Sequence, residues 1–215
     1  MKKIISVLLF IISLNITNSQ IIDFYGFKSG ISLSNVKLKF IKVNYEWDTD
    51  TKIGYNFSFY LGTNISENID LVSEVGYSQK GCKYSFMKIN EQGIKIGEID
   101  NNNRFDYLTI KILTSYKMNF GIANPYMFIG PRLDINLGDR LEIIPVSFRK
   151  YLSNTQILNN TQIGISSGIG VKLKEILPYT ILVEFNYDYD FGNSSQSEFI
   201  ESKNYSAEFK LGLEF

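Results

Sequence analysis

No histidine occurs anywhere in this chain, and that absence narrows the possible chemistry at once. Histidine is the side chain whose ordinary pKa lies near neutrality, and it most often serves as general base. Without it a serine nucleophile lacks its usual activator. Glu184 and Glu208 could act as catalytic acids, but both fall among regularly spaced charges whose structural reading is the simpler one. Cys82 is the single cysteine, so no intrachain disulfide can form. Lys80 and Lys83 nearby could make its thiol mildly reactive, although an incidental thiol is the plainer reading. Asp100-Asn101-Asn102-Asn103 offers oxygen ligands but lacks the twelve-residue calcium pattern with its terminal bidentate Glu. Gly168-Ile169-Gly170 lacks the third glycine and the following helix of a dinucleotide site. The expectation is a chain that is not an enzyme, with no cofactor and no metal.

The charges carry the informative spacing. Lys plus Arg and Asp plus Glu number 22 each, so net charge gives no hint of nucleic acid, and none is expected as a partner. Charged and small residues alternate with large apolar ones at period two, the mark of a strand with two unlike faces. The last strand is clearest. Tyr205, Ala207, Phe209, Leu211, Leu213 and Phe215 fall on one face, and Asn204, Ser206, Glu208, Lys210, Gly212 and Glu214 on the other. Seven earlier segments repeat the pattern, near residues 25–33, 53–62, 69–78, 108–118, 127–137, 163–173 and 181–190. Tyr60, Val72 and Leu113 break it on the polar side, and Ser29, Ser73, Thr114 and Ser167 on the apolar side.

These segments predict an all-β fold: an eight-stranded antiparallel up-and-down transmembrane β-barrel. An eight-stranded interior is only just wide enough for side chains to fill it. Gly, Ser, Asn and a few long charged residues suit that lumen, which places Ile, Leu, Phe and Tyr outside, against lipid. Hydrocarbon cannot hydrogen-bond a bare strand edge, so the sheet must close. Inward charges survive only when paired. The candidates for a lumen charge network are Lys28, Glu74, Lys111, Arg132, Asp134, Lys172, Glu184, Asp188, Glu208 and Lys210, which would plug the lumen and leave no wide pore. Tyr25, Tyr77, Tyr116, Tyr189, Tyr205 and Phe215 sit near strand ends, where aromatic girdles form.

Connections alternate in length. Residues 63–68, 120–125 and 174–179 read as short periplasmic turns. Residues 34–52, 79–104, 138–160 and 191–203 read as long, mostly polar outer loops, the arrangement of bacterial outer-membrane barrels. The 138–160 loop is unusually apolar, with Leu141, Ile143, Ile144, Val146, Phe148, Tyr151 and Leu152. Residues 1–19 read as a cleaved signal peptide: Lys2 and Lys3 precede the apolar run Ile4–Ile12, and Thr17 and Ser19 suit the cleavage positions, so that 20–215 form the barrel domain. The apolar run is shorter than the roughly 20 residues of a spanning helix.

Tyr25-Gly26-Phe27-Lys28-Ser29-Gly30-Ile31-Ser32-Leu33-Ser34 resembles the first strand of the PorT-like outer-membrane β-barrel family of Bacteroidetes. Glu74-Val75-Gly76-Tyr77-Ser78-Gln79-Lys80-Gly81 is similar to that family's third-strand pattern. Tyr107-Leu108-Thr109-Ile110 to Tyr116 resembles its fourth strand, with Lys111 in place of the usual proline, and Tyr126 to Arg132 its fifth. The resemblance spans essentially the whole mature chain and implies a barrel in the bacterial outer membrane. The family's namesake is implicated in type IX secretion, but no residue here carries that role over. Phe209, Leu211, Leu213 and Phe215 resemble the C-terminal signal read by the outer-membrane assembly machinery.

The function expected is a non-enzymatic structural or interaction scaffold that displays its outer loops. Alternatives are a component of the type IX secretion or gliding apparatus and a narrow solute pore. The expected partners are outer-membrane lipid, the assembly machinery, and a protein docking at outer loops 79–104 and 138–160.

Overall fold

The computed structural model describes residues 22–40, 45–90, 92–140, 161–174, 178–192 and 200–215. Among them the strands are β1 Phe24–Phe40, β2 Tyr45–Asp48, β3 Asp50–Asn64, β4 Ile69–Ile89, β5 Lys95–Lys117, β6 Ala123–Arg140, β7 Thr161–Leu173, β8 Thr180–Asp190 and β9 Ile200–Glu214. Every pairing is antiparallel, and each strand from β3 to β9 pairs with the next. β1 pairs with β3 on one edge and β9 on the other, which closes the sheet into an eight-walled barrel. β2 and β3 make one wall, broken only at Thr49. There the register against β1 slips by one residue, from Lys37 opposite Asp48 to Ser34 opposite Lys52. The backbone of Phe215 exchanges hydrogen bonds with Tyr25, at 2.8 and 3.1 Å, and extends the β1–β9 ladder by one pair.

Burial follows the period of the sequence. Along β3 the pattern alternates residue by residue from Lys52 to Tyr60. Phe57 is 52% exposed while Asn56 and Ser58 are buried, and Ile112 is 51% exposed while Lys111 and Leu113 are buried. The polarity is inside out: large apolar side chains cover the outside, and charged, hydroxyl and amide side chains fill the centre. The apolar exterior is a continuous belt, since Phe27, Ile31, Phe57, Val75, Ile112, Ile129, Ile169, Phe185 and Leu211 from different walls are all exposed. A belt of this extent on a closed sheet fits a hydrocarbon surround.

Two connections differ from the sequence expectation. Residues 34–52 and 79–104 are largely strand: β1 reaches Phe40, β4 reaches Ile89, and β5 starts at Lys95. The β4–β5 hairpin pairs from Ile69–Tyr116 up to Ile89–Lys95, with a tight turn between. The physical reason is that its far half has the same surroundings on both faces. The contrast between apolar and polar faces, which marks a lipid-facing strand, fades there although the backbone pairing persists. At 23 residues, β5 is about twice the roughly 9–11 needed to cross a bilayer. The turns around 65–68 and 118–122 are as short as expected. The signal peptide, residues 141–160 with their apolar side chains, and residues 193–199 lie outside the described residues.

Candidate functional site: the charged lumen

Strands β1, β4, β5, β6, β8 and β9 each aim acids or bases at the barrel axis, because alternation turns every second residue inward. The result is a ladder in which cation and anion alternate. Tyr126 donates from its hydroxyl to Glu184. Glu184 meets Lys28 at 2.7 Å, and Lys28 meets Glu74 at 3.3 Å. Glu74 takes Lys210 at 2.9 Å, and Lys210 takes Glu208 at 3.1 Å. Glu208 meets Lys111 at 3.4 Å, and Lys111 meets Asp188 at 3.1 Å. Asp188 meets Arg132 at 2.8 Å, and Arg132 reaches on to Asp134 at 3.2 Å and to Asp190. Lys80 closes the run on Asp134 at 2.8 Å.

A second, shorter group sits toward the end that carries the barrel's two termini. Lys172 bonds Glu214 at 2.7 Å, Tyr60 donates to Glu214 at 3.2 Å, and Lys117 bonds Asp70 at 2.6 Å. Hydroxyls from other walls finish the acids: Ser78 donates to Glu208 at 3.2 Å and Ser166 to Asp188 at 2.6 Å. Buried charges are tolerable only when paired and hydrogen-bonded in this way.

All ten charged residues singled out from the sequence face this lumen, and each is buried. Nine join the main ladder, and Lys172 joins the second group. Sequence reasoning missed Lys80, Asp190, Asp70, Lys117 and Glu214 as members. The last four stand on polar-face positions, so the alternation could have found them. Lys80 stands where the pattern reads as a loop.

Apolar layers bound the ladder. Tyr60, Val72, Leu113, Tyr126, Phe128 and Leu182 form a cluster inside the barrel near the terminal end. Three of these are the residues that break the pattern on the polar side, so the exceptions are a layer of the lumen. Gly168 and Gly170 make room for it, since a Cβ at either would strike the rings of Phe128 and Tyr126. That close approach explains the glycines without any nucleotide. Val36, Cys82, Phe105 and Tyr107 form a smaller apolar layer toward the other end. Cys82 is buried there, against a reactive role. Cavities beside the ladder measure about 20 and about 10 Å³, the scale of a single water molecule. No cluster of metal-ligating side chains occurs among the described residues.

Outside the spanning region, Asp23 caps the terminal end. The backbone N–H of Asn64 donates to its carboxylate at 2.6 Å, the hydroxyl of Thr63 donates at 3.1 Å, and both hold its pKa below the ordinary value. Phe209, Leu211, Leu213 and Phe215 form one outward row along β9, and Phe215 stacks on Tyr25 with ring centroids 5.8 Å apart.

The closed, inside-out barrel is a shared architecture. The chain resembles the outer membrane protein OprG of Pseudomonas aeruginosa at TM-score 0.50 and 10% identity, covering 89% of this chain and 95% of that one. It resembles Ail, the attachment invasion locus protein of Yersinia pestis, at TM-score 0.42 and 13% identity over 89% and 98% of the two chains. The outer membrane protease OmpT of Escherichia coli gives 0.45 and 11% over 93% and 99%. At such identities the likeness shows the fold alone. No curated protein matches the sequence. A family model described as outer membrane protein beta-barrel domain matches residues 18–196, and with the apolar belt and the closed sheet in place, the chain belongs to that outer-membrane β-barrel family.

Proposed function

We propose that the protein is a non-enzymatic outer-membrane scaffold: a plugged barrel that displays its outer hairpins to a protein partner. One observation carries this reading. The ion ladder from Glu184 to Lys80 spans the lumen, and the two cavities described beside it are each on the scale of one water molecule. A solute would have to break several buried pairs to pass. The absence of histidine argues against hydrolytic chemistry of the usual kind.

Short turns on one side and long hairpins on the other orient the barrel with its termini in the periplasm. Loops 79–104 and 138–160 then face outward, and they are the proposed contact points for a partner. The outward row Phe209, Leu211, Leu213 and Phe215 is the proposed handle for the assembly machinery, used after export and signal-peptide removal near Ser19. The PorT-like resemblance makes the type IX secretion or gliding apparatus the first place to seek the partner. Unchanged cargo export in a deletion strain would remove that assignment and leave the scaffold.

Planar-bilayer recording of the purified barrel tests the scaffold against a pore. The expected outcome is no steady conductance. Reproducible unitary channels would overturn the plugged lumen.

A further inference from the structure

The ladder between β3 and β4 slips at one height. Asn56 pairs with Ser78 on one side of the slip and Thr51 with Cys82 on the other. Residues 52–55 of β3 therefore face residues 79–81 of β4, and the extra residue is a bulge. Backbone groups in this stretch are held by lumen side chains. Ser32 donates to the carbonyl of Gln79 at 2.7 Å. Ser34 donates to the carbonyl of Gly81 at 3.0 Å and accepts from the N–H of Gly81 at 2.8 Å. Both serines are on β1, so each bond reaches over β3. Ser32 lies opposite Gly54, and a Cβ at Gly54 would press on both the Gln79 carbonyl and the Ser32 hydroxyl. The missing side chain is what lets the bond pass.

The other flank of the same hairpin slips too. The β5–β6 register shifts between Asp106 and Tyr107, and Asp106 is the direct partner of Gln79 across β4–β5. The two irregular seams meet at one cross-strand pair. By contrast β1–β9, β6–β7, β7–β8 and β8–β9 run without a shift among the described residues. The hairpin itself is continuous across that line, and its outward side is tied together there: Tyr77 donates to Asp106 at 2.6 Å and Arg104 to Asp106 at 2.9 Å.

We propose that the β4–β5 hairpin beyond the Gln79–Asp106 pair is a hinged arm, latched to the barrel by Ser32 and Ser34. It swings as a unit, because its internal ladder runs unshifted from Ile69–Tyr116 to Lys88–Gly97 while both flanking ladders shift register at its base. Lys80, anchored on Asp134 at 2.8 Å, is the pivot. The purpose of the motion, reaching for a partner, rests on the scaffold reading. The hinge itself is measured on the barrel alone, so the conductance result and the hinge result fail separately.

The test places spin labels at K88C and K203C in a C82S background, in lipid vesicles, and measures their distance distribution. S32A/S34A is expected to broaden the distribution or add a second distance, and S34T, which keeps the hydroxyl, to stay close to the parent. An unchanged distribution in S32A/S34A, with heat-modifiable gel migration retained, overturns the hinge. If S32A/S34A does not fold, amide exchange in the parent decides. The Gly81 N–H is expected to exchange at least about tenfold faster than mid-ladder amides of β6–β7, and equal protection overturns the proposal.

Discussion

At the scale of single residues, the lumen is held by charges that no longer have water as an alternative. Arg132 touches Asp134, Asp188 and Asp190 at once. Replacing it with Met keeps most of the volume and leaves three carboxylates with less compensation. Breaking one side of a buried pair typically costs about 3–5 kcal/mol, because the partner remains buried. Arg132→Met is therefore expected to lose about that much in urea unfolding of the detergent-refolded barrel. A loss below about 1 kcal/mol would mean that the ladder contributes little to holding the walls together. The identity of the ladder's members was legible in the sequence wherever a strand alternates cleanly, as with Lys28, Glu74 and Lys210. Lys80 was not, because its neighbours Gln79 and Gly81 are buried as well, and a strand buried on both phases shows no alternation.

At the scale of the element, β5 places the same residue type in two solvents. Ile112 and Ile96 are similarly exposed, at 51% and 55%. Ile112 lies in the apolar belt, whereas Ile96 lies near the tip of the hairpin. A lysine at mid-membrane on the lipid face costs about 2–4 kcal/mol, and one beyond the interface about 0–1. Ile112→Lys is thus expected to destabilise the barrel in vesicles by about 2–4 kcal/mol and Ile96→Lys by less than about 1 kcal/mol. Equal losses would contradict the assigned depth of the belt. The same difference in surroundings explains which strands the sequence announces. Phe57, Phe59 and Leu61 alternate with Asn56, Ser58 and Gly62 because lipid and lumen demand opposite residues. Lys83, Ser85 and Met87 carry no such demand, so the pairing of the outer half of β4 left no mark in the pattern.

At the scale of the molecule, closure and inside-out polarity are one fact. Antiparallel strands with one apolar face can satisfy every backbone group in hydrocarbon only by joining first to last, as β1 and β9 do from Gly26–Glu214 to Phe40–Ile200. That much followed from the count and spacing of alternating segments. The order of the ion ladder, the apolar layers that bound it and the serine bonds across β3 did not. They depend on which residues share a height in the barrel, and height is set by register between strands, a relation that alternation within one strand does not encode.

The most direct test of the whole account puts a tryptophan on each face, after removing the only native one by Trp47→Phe. Phe57→Trp points outward from the belt, and Phe128→Trp points into the lumen. In vesicles of brominated lipid, Phe57→Trp is expected to be strongly quenched and Phe128→Trp to keep its emission. Quenching at position 128 with none at position 57 would contradict the account.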